Sequence, residues 1–442
     1  MADFDLGIEG GIVVTGRGRR QANVYVEDGR VAEVTAARRT ARETADASDL
    51  LVMPGFVDAH VHFMDPADPS REDFPSGSAA AARAGVTTVI EHTHGRPVRT
   101  AADLAEKATY LAGRSVVDFA LGAHAWPGHR DDVGPAWRAG VAFMKAFTCT
   151  THGIPGHDAA ALFDLMTAAA QSGATCLLHC EDESLTAGAE AHLRAAGRED
   201  GGLIPEWRNR TAELVAVGVA ALLARRTGAW AVLAHASHVD VLDVAGPMTV
   251  ESCPQYLTLL EAEVSSEGVF RKFTPPARAE SPAALQAMWQ ALAAGRIDYV
   301  SSDHAPSTRT QKSAGSIWDV PFGLPGIDTT SAVLLDGAHS GLITHERVVE
   351  VYAETPARVY GLRSKGRLEP GADADISLVD PQAAWTVSDG DILSKAGWSP
   401  FAGRTLHGRP LRTYVRGNLV AAEGTVIAAP RTGRFVPGPG LA

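Results

Sequence analysis

Cysteine is nearly missing from this sequence, with four residues in 442. That density excludes a disulfide scaffold and points to a reducing setting, so a cytoplasmic location is expected. Long apolar runs are missing as well: nothing reaches the roughly 18 residues that a membrane span needs. The first residues, MADFDLGIEGG, are acidic and contain no apolar secretory core, so no signal peptide is expected. Positive charge is in deficit. Lys and Arg number 40 against 52 Asp and Glu, a net charge of −12. This balance argues against a nucleic-acid or membrane-surface partner and leaves a small-molecule substrate open. Internal repeats and low-complexity tracts are also lacking. What remains is a large globular chain, long enough to bury a substantial core, and an enzyme is the natural expectation.

The first 50 or so residues read as short strands cut by turns: GIVVTG, ANVYVEDG and RVAEVTA. The same texture returns near the other end in ADISLVD, AWTVSDG and RTYVRGNLVAAEGTV. Between them, apolar runs alternate with Ala-rich stretches of helical period, as in βα units around a parallel sheet. Eight such runs are visible, at 52–62, 86–94, 116–125, 141–147, 174–180, 230–237, 248–255 and 297–305. Eight strands over about 250 residues fit an α/β fold of the (β/α)8 barrel kind; an open doubly wound sheet is the alternative. The C-terminal PRTGRFVPGPGLA reads as an extended tail, a candidate interface arm.

Residues able to bind metal gather at the ends of these runs. His60 and His62 form His-Val-His, and positions i and i+2 of a strand share a face, so both rings can meet one ion. Lys145, His179, His235 and Asp303 close the fourth, fifth, sixth and eighth runs. In a barrel, C-terminal strand ends converge on the mouth where such enzymes work. Taken singly, each residue has a plain explanation: a structural histidine, a lysine snorkelling past the rim, an aspartate capping a helix. Six together favour a metal site.

The motifs PGFVDAHVHF, MKAF, HCED, HASH, ESCPQYL and SSDHAP together resemble the cyclic amidohydrolases, the group that includes dihydroorotases, allantoinases and hydantoinases (dihydropyrimidinases). TPARVYGL, KGRLEPGADADISLVD and SKAGWSPFAGRTLHGRP extend the resemblance through most of the chain. It implies a TIM barrel over 54–365 and a small β-sandwich domain built from 1–53 and 366–442. It also implies two divalent metal ions, usually Zn2+. His60, His62 and Asp303 would hold the first, His179 and His235 the second, and a CO2-derived carbamate on Lys145 would bridge them. A hydroxide between the metals would attack a small cyclic amide, ureide or imide. Asp303 would be the catalytic proton carrier. Relatives in this group are commonly homotetramers or dimers, so a homo-oligomer is expected.

Substrate signals are mixed. Dihydroorotases resembling this chain carry an arginine two residues after the second histidine, where this chain has Met64. Hydantoinases carry a tyrosine five residues after the lysine, where this chain has Thr150. Thr274 falls in a Pro-Pro loop that would bind substrate, and Phe322 stands where hydantoinases have Asn. The second run ends EHTHGRP, bringing Glu91, His92 and His94 to the mouth, with His94 a candidate substrate contact. Trp126 to His129 and the His152 to His157 segment read as loops near the mouth, and Cys180 and Cys253 as packing residues. An allantoin- or hydantoin-like substrate is the first expectation; a bulkier or less charged cyclic amide or imide is the second. A non-catalytic interaction protein is a distant third, because all six ligand positions are intact.

Overall fold

The computed structural model describes residues 4–441. The outermost residues assigned to the terminal domain, 1–3 and 442, lie outside that range. Strands and helices alternate through the middle of the chain, as the periodicity predicts. The strand Phe56–Val61 is buried at every position, as are Val86–Glu91, Met144–Phe147 and Thr175–His179. Burial on both faces is why these strands read as continuous apolar runs rather than alternating ones.

These strands run parallel. Asp118–Leu121, Val86–Glu91 and Phe56–Val61 form a three-stranded sheet. Ala123–His124, Met144–Phe147, Thr175–His179, Trp230–Leu233, Thr249–Ser252 and Tyr299–Val300 form a six-stranded one. The third sequence run is therefore broken at Gly122. A Cβ there would sit 2.2 Å from the Phe143 ring, so only glycine lets the chain pass. At the far edges, the Val61–His304 bridge and a 2.7 Å bond from His62 N to His304 O bring the eighth run against the first. Val57, Ala59, Ile90, Ala120, Leu177, Val232 and Tyr299, from six of the runs, pack into one buried cluster.

The helices between strands are capped by the residues expected to do so. Asp158 accepts from Ala161 N to start Ala159–Ser172, and Gly173 ends it at φ 75°. Asn209 and Gly228 do the same for Arg210–Thr227. No helix among the described residues is long and apolar enough to cross a membrane.

The terminal strand-rich segments interleave. A seven-stranded sheet joins Ile12–Thr15, Gly18–Gln21 and Leu51–Pro54 to Ile376–Thr386, Thr405–Val415, Asn418–Ala422 and Thr425–Val426. A four-stranded sheet is built from N-terminal strands alone. The C-terminal tail departs from the free arm that its composition suggests. Phe119 N bonds Arg434 O, Val436 N bonds Phe119 O and Gly438 N bonds Gly140 O, so its backbone groups are spent on its own chain.

Candidate active site

His60 and His62 sit at the C-terminal end of Phe56–Val61, and the rest of the expected set arrives from neighbouring strands. His60 Nε2 lies 3.2 Å and His62 Nε2 3.4 Å from the same oxygen, Asp303 Oδ1. The other ring nitrogens are engaged. His60 Nδ1 donates to Glu251 Oε1 at 2.7 Å, and His62 Nδ1 donates to the His92 carbonyl at 3.0 Å. Those bonds place the proton on Nδ1 and turn the Nε2 lone pairs toward Asp303. Lone pairs facing a carboxylate oxygen repel unless a cation stands between them.

The second pair repeats the arrangement. His179 donates from Nε2 to Glu181 Oε2 at 2.8 Å, leaving its Nδ1 lone pair 3.0 Å from His235 Nε2. Glu181 is held charged: burial alone would raise its pKa, but Arg208, His179 and Arg278 bring it down to about 2. Glu251 likewise stays below its usual range against burial, through His60 and Lys145, and takes a further bond from the Tyr299 hydroxyl at 2.8 Å.

Lys145 lies between the two pairs in sequence order and is 1% exposed. Its Nζ is buried with no hydrogen-bond partner, and burial lowers its pKa to about 8. A buried ammonium without a partner costs far more than a neutral amine, which is free to add CO2. Burial also raises the Asp303 pKa. His235 (φ 41°) and Asp303 (φ 48°) hold the left-handed backbone that non-glycine residues rarely adopt. Such strain persists where surrounding structure fixes a side chain for a task. Two imidazoles with a carboxylate, two more imidazoles and an orphaned lysine make a donor set suited to divalent metal of the zinc type.

These side chains line a cavity of ≈ 20 Å³ that opens to solvent, with His94, Phe147, His152, Thr274 and Phe322 also in its wall. That space holds about one water, so a ring substrate requires the wall to part. The wall facing the histidines is itself imidazole: His94 stacks on His152 at 4.2 Å, 19° from coplanar. Burial, reinforced by neighbouring histidines, depresses both well below the usual histidine value, so both are neutral near pH 7.

Not every expected substrate contact reaches this cavity. Phe322 and His94 do. Thr274 lines it but spends its hydroxyl on Glu181 Oε2 at 2.6 Å. Met64 is not in the wall; its backbone is left-handed at φ 57° and its sulfur takes the Thr93 hydroxyl at 3.7 Å. Thr150 is exposed, and its hydroxyl accepts from Gly156 N at 3.3 Å, closing its own loop. His129 lies apart, with Trp126 and Arg130 around a separate small cavity. Glu91 is buried against Lys107 Nζ at 2.5 Å. Cys180 and Cys253 are buried with raised pKa values, as packing residues should be.

The sequence reading did not single out Glu181 and Glu251, which orient His179 and His60. Both lay inside quoted motifs, HCED and ESCPQYL; the signal was their place at strand ends beside the histidines. His152 was read as part of a loop and forms a wall of the cavity.

The Amidohydrolase family matches residues 51–420. The chain belongs to the amidohydrolase family. Within it, the chain is 37% identical to a dihydroorotase from Halobacterium salinarum, over 86% of this chain and 89% of that one. It is 34% identical to an allantoinase from Rubrobacter xylanophilus, covering 99% and 98%. Among amidohydrolases of known structure, an L-hydantoinase (dihydropyrimidinase) from Arthrobacter aurescens superimposes with a TM-score of 0.94 at 30% identity, covering 98% of this chain and 100% of that one.

Proposed function

We propose that this amidohydrolase opens a cyclic amide, ureide or imide ring with two divalent metals, and that its substrate is allantoin- or hydantoin-like. The observation that carries the reading is the paired convergence of His60 and His62 on Asp303, and of His179 on His235, beside the orphaned Lys145. His60, His62 and Asp303 would hold one ion and His179 and His235 the other, zinc being the first candidate. Lys145 would be shared by both after its neutral Nζ adds CO2 and loses a proton, giving an anionic carbamate. When bound, the ions supply a Lewis acid for the carbonyl and lower the pKa of a water.

The chain's own residues do the rest. Asp303 would take a proton at the ions and return it to the departing ring nitrogen. Glu251 and Glu181 fix the tautomers of His60 and His179. The neutral His94–His152 pair and Phe322 favour a planar, weakly charged ring and exclude water. The same proposal takes the parallel strands as a closed (β/α)8 barrel spanning 54–365, with the terminal segments 1–53 and 366–442 as one β-sandwich domain. It includes a cytoplasmic homodimer or homotetramer, which light scattering would check.

A second reading is favoured by Arg71. It is half-buried, makes no ion pair among the described residues, and its charge helps depress His62 and His152. Only its Nε is used, toward Pro306 O at 3.0 Å. A cation thus lies near His62 and His152, although it does not line the cavity itself, and a ring bearing a carboxylate, as in dihydroorotate, would find a partner if the side chain swung inward. The test is turnover by zinc-loaded protein of allantoin, hydantoin, dihydrouracil, dihydroorotate and simple cyclic imides. Highest kcat/KM on allantoin or hydantoin supports the first reading and on dihydroorotate the second. Opening of none contradicts both.

A further inference from the structure

A cleft of ≈ 1080 Å³ lies between the strands Ile12–Thr15 and Gly18–Gln21 on one side and residues 354–369 on the other. It is remote from the cavity described above. Lys365, in its wall, bonds Asp118, the first residue of Asp118–Leu121, whereas the histidines sit past the opposite ends of the strands.

Its charge runs against the rest of the chain. In a protein of net charge −12, Arg17, Arg20, Arg358 and Arg363 line this one cleft, all exposed and none in an ion pair among the described residues. The two acids in the wall do not pair with them: Glu354 Oε1 accepts from Gly16 N at 2.9 Å and offsets only part of their charge, and Glu369 pairs with Arg367 at 2.6 Å. Four guanidinium groups without acidic partners around one space offer a polyanion forked hydrogen bonds from more than one side. Half-buried Val34, with the edges of Val13, Leu362 and Leu368, adds apolar surface that a bare inorganic anion would not use. The volume is slightly above the usual range of small-ligand pockets, about 300–1,000 Å³.

We propose that this cleft binds an amphipathic polyanion of the nucleoside di- or triphosphate class, its phosphates on the arginines and its ring on the apolar surface. Titration calorimetry on the full-length, zinc-loaded protein with ATP, ADP, AMP and pyrophosphate tests this. The expected result is saturable binding in the order ATP, ADP, AMP, weakening with added salt, with pyrophosphate about tenfold weaker than ADP. Arg17→Gln combined with Arg358→Gln lowers ATP affinity about tenfold or more, with the melting temperature and ring-opening activity unchanged. Lys145→Ala retains ATP binding, which separates the cleft from chelation at the metals. Absence of saturation, or ATP binding unaffected by the arginine substitutions, overturns the proposal. So does loss of binding in Lys145→Ala, or pyrophosphate binding as tightly as ADP.

Discussion

His179 Nδ1 and His235 Nε2 face each other at 3.0 Å, and Glu181 accepts a hydrogen bond from Nε2 on the far side of the His179 ring. On the proposed two-metal reading, these two nitrogens would share one cation. His235→Ala is therefore expected to lower bound metal from about two equivalents per chain to about one, and activity at least about a hundredfold. Elemental analysis of the purified variant checks the first; two retained equivalents would place the ion elsewhere.

Glu251 bonds His60 Nδ1 at 2.7 Å, and on the proposed function it would act through His60 rather than on substrate. Glu251→Gln keeps the shape but weakens the acceptor for His60 Nδ1–H, and metal affinity should fall about 10- to 100-fold. A chelator titration reads this directly. An unchanged midpoint would leave Glu251 with a packing role only.

Lys145 carries a pH signature. Its amine titrates at about 8, because burial opposes the charged form. Carbamate formation needs the neutral amine, about a quarter of the population at pH 7.5 and about 1% at pH 6. At a fixed concentration of dissolved CO2, reconstitution of metal-free protein with zinc should therefore speed up with rising pH and level off above about 8. A flat profile from pH 6 to 9 would contradict it. Lys145→Ala should lose metal and activity together, and short carboxylic acids should restore part of both.

Buried histidines make the fold sensitive to acid. Burial brings the His124 pKa to about 3, and His62, His92, His94, His152 and His235 shift the same way. Each binds a proton more readily unfolded than folded, so stability is full above the unfolded pKa and falls as pH drops through about 6.5. His124 alone should cost about 2 kcal/mol between pH 8 and pH 5. Urea unfolding at the two pH values measures the loss, and His124→Gln should make the slope shallower.

Much of the site was legible because its chemistry is local. His-Val-His declares a shared strand face, and each remaining metal-type residue closes an apolar run. The strand-rich termini were visible too, but their interleaving in one sheet depends on pairings across more than 300 residues, such as Ile376 with Pro54. Glu251 was hidden for a similar reason: its bond to His60 spans 191 positions. Met64 and Thr150 show the opposite failure. Spacing from a landmark residue placed them at the cavity, while a left-handed backbone at Met64 and a self-closing loop at Thr150 turned them away. The tail's partners, the backbone groups around Phe119 and Gly140, leave no mark in its own composition.

The central claim is that the six residues form one two-metal centre. Elemental analysis of active wild-type protein, alongside Lys145→Ala and Asp303→Ala, tests it most directly. The account predicts about two divalent ions per wild-type chain, close to none in Lys145→Ala, and about one in Asp303→Ala with turnover abolished. Full ring-opening activity in wild-type protein carrying no divalent metal would contradict it.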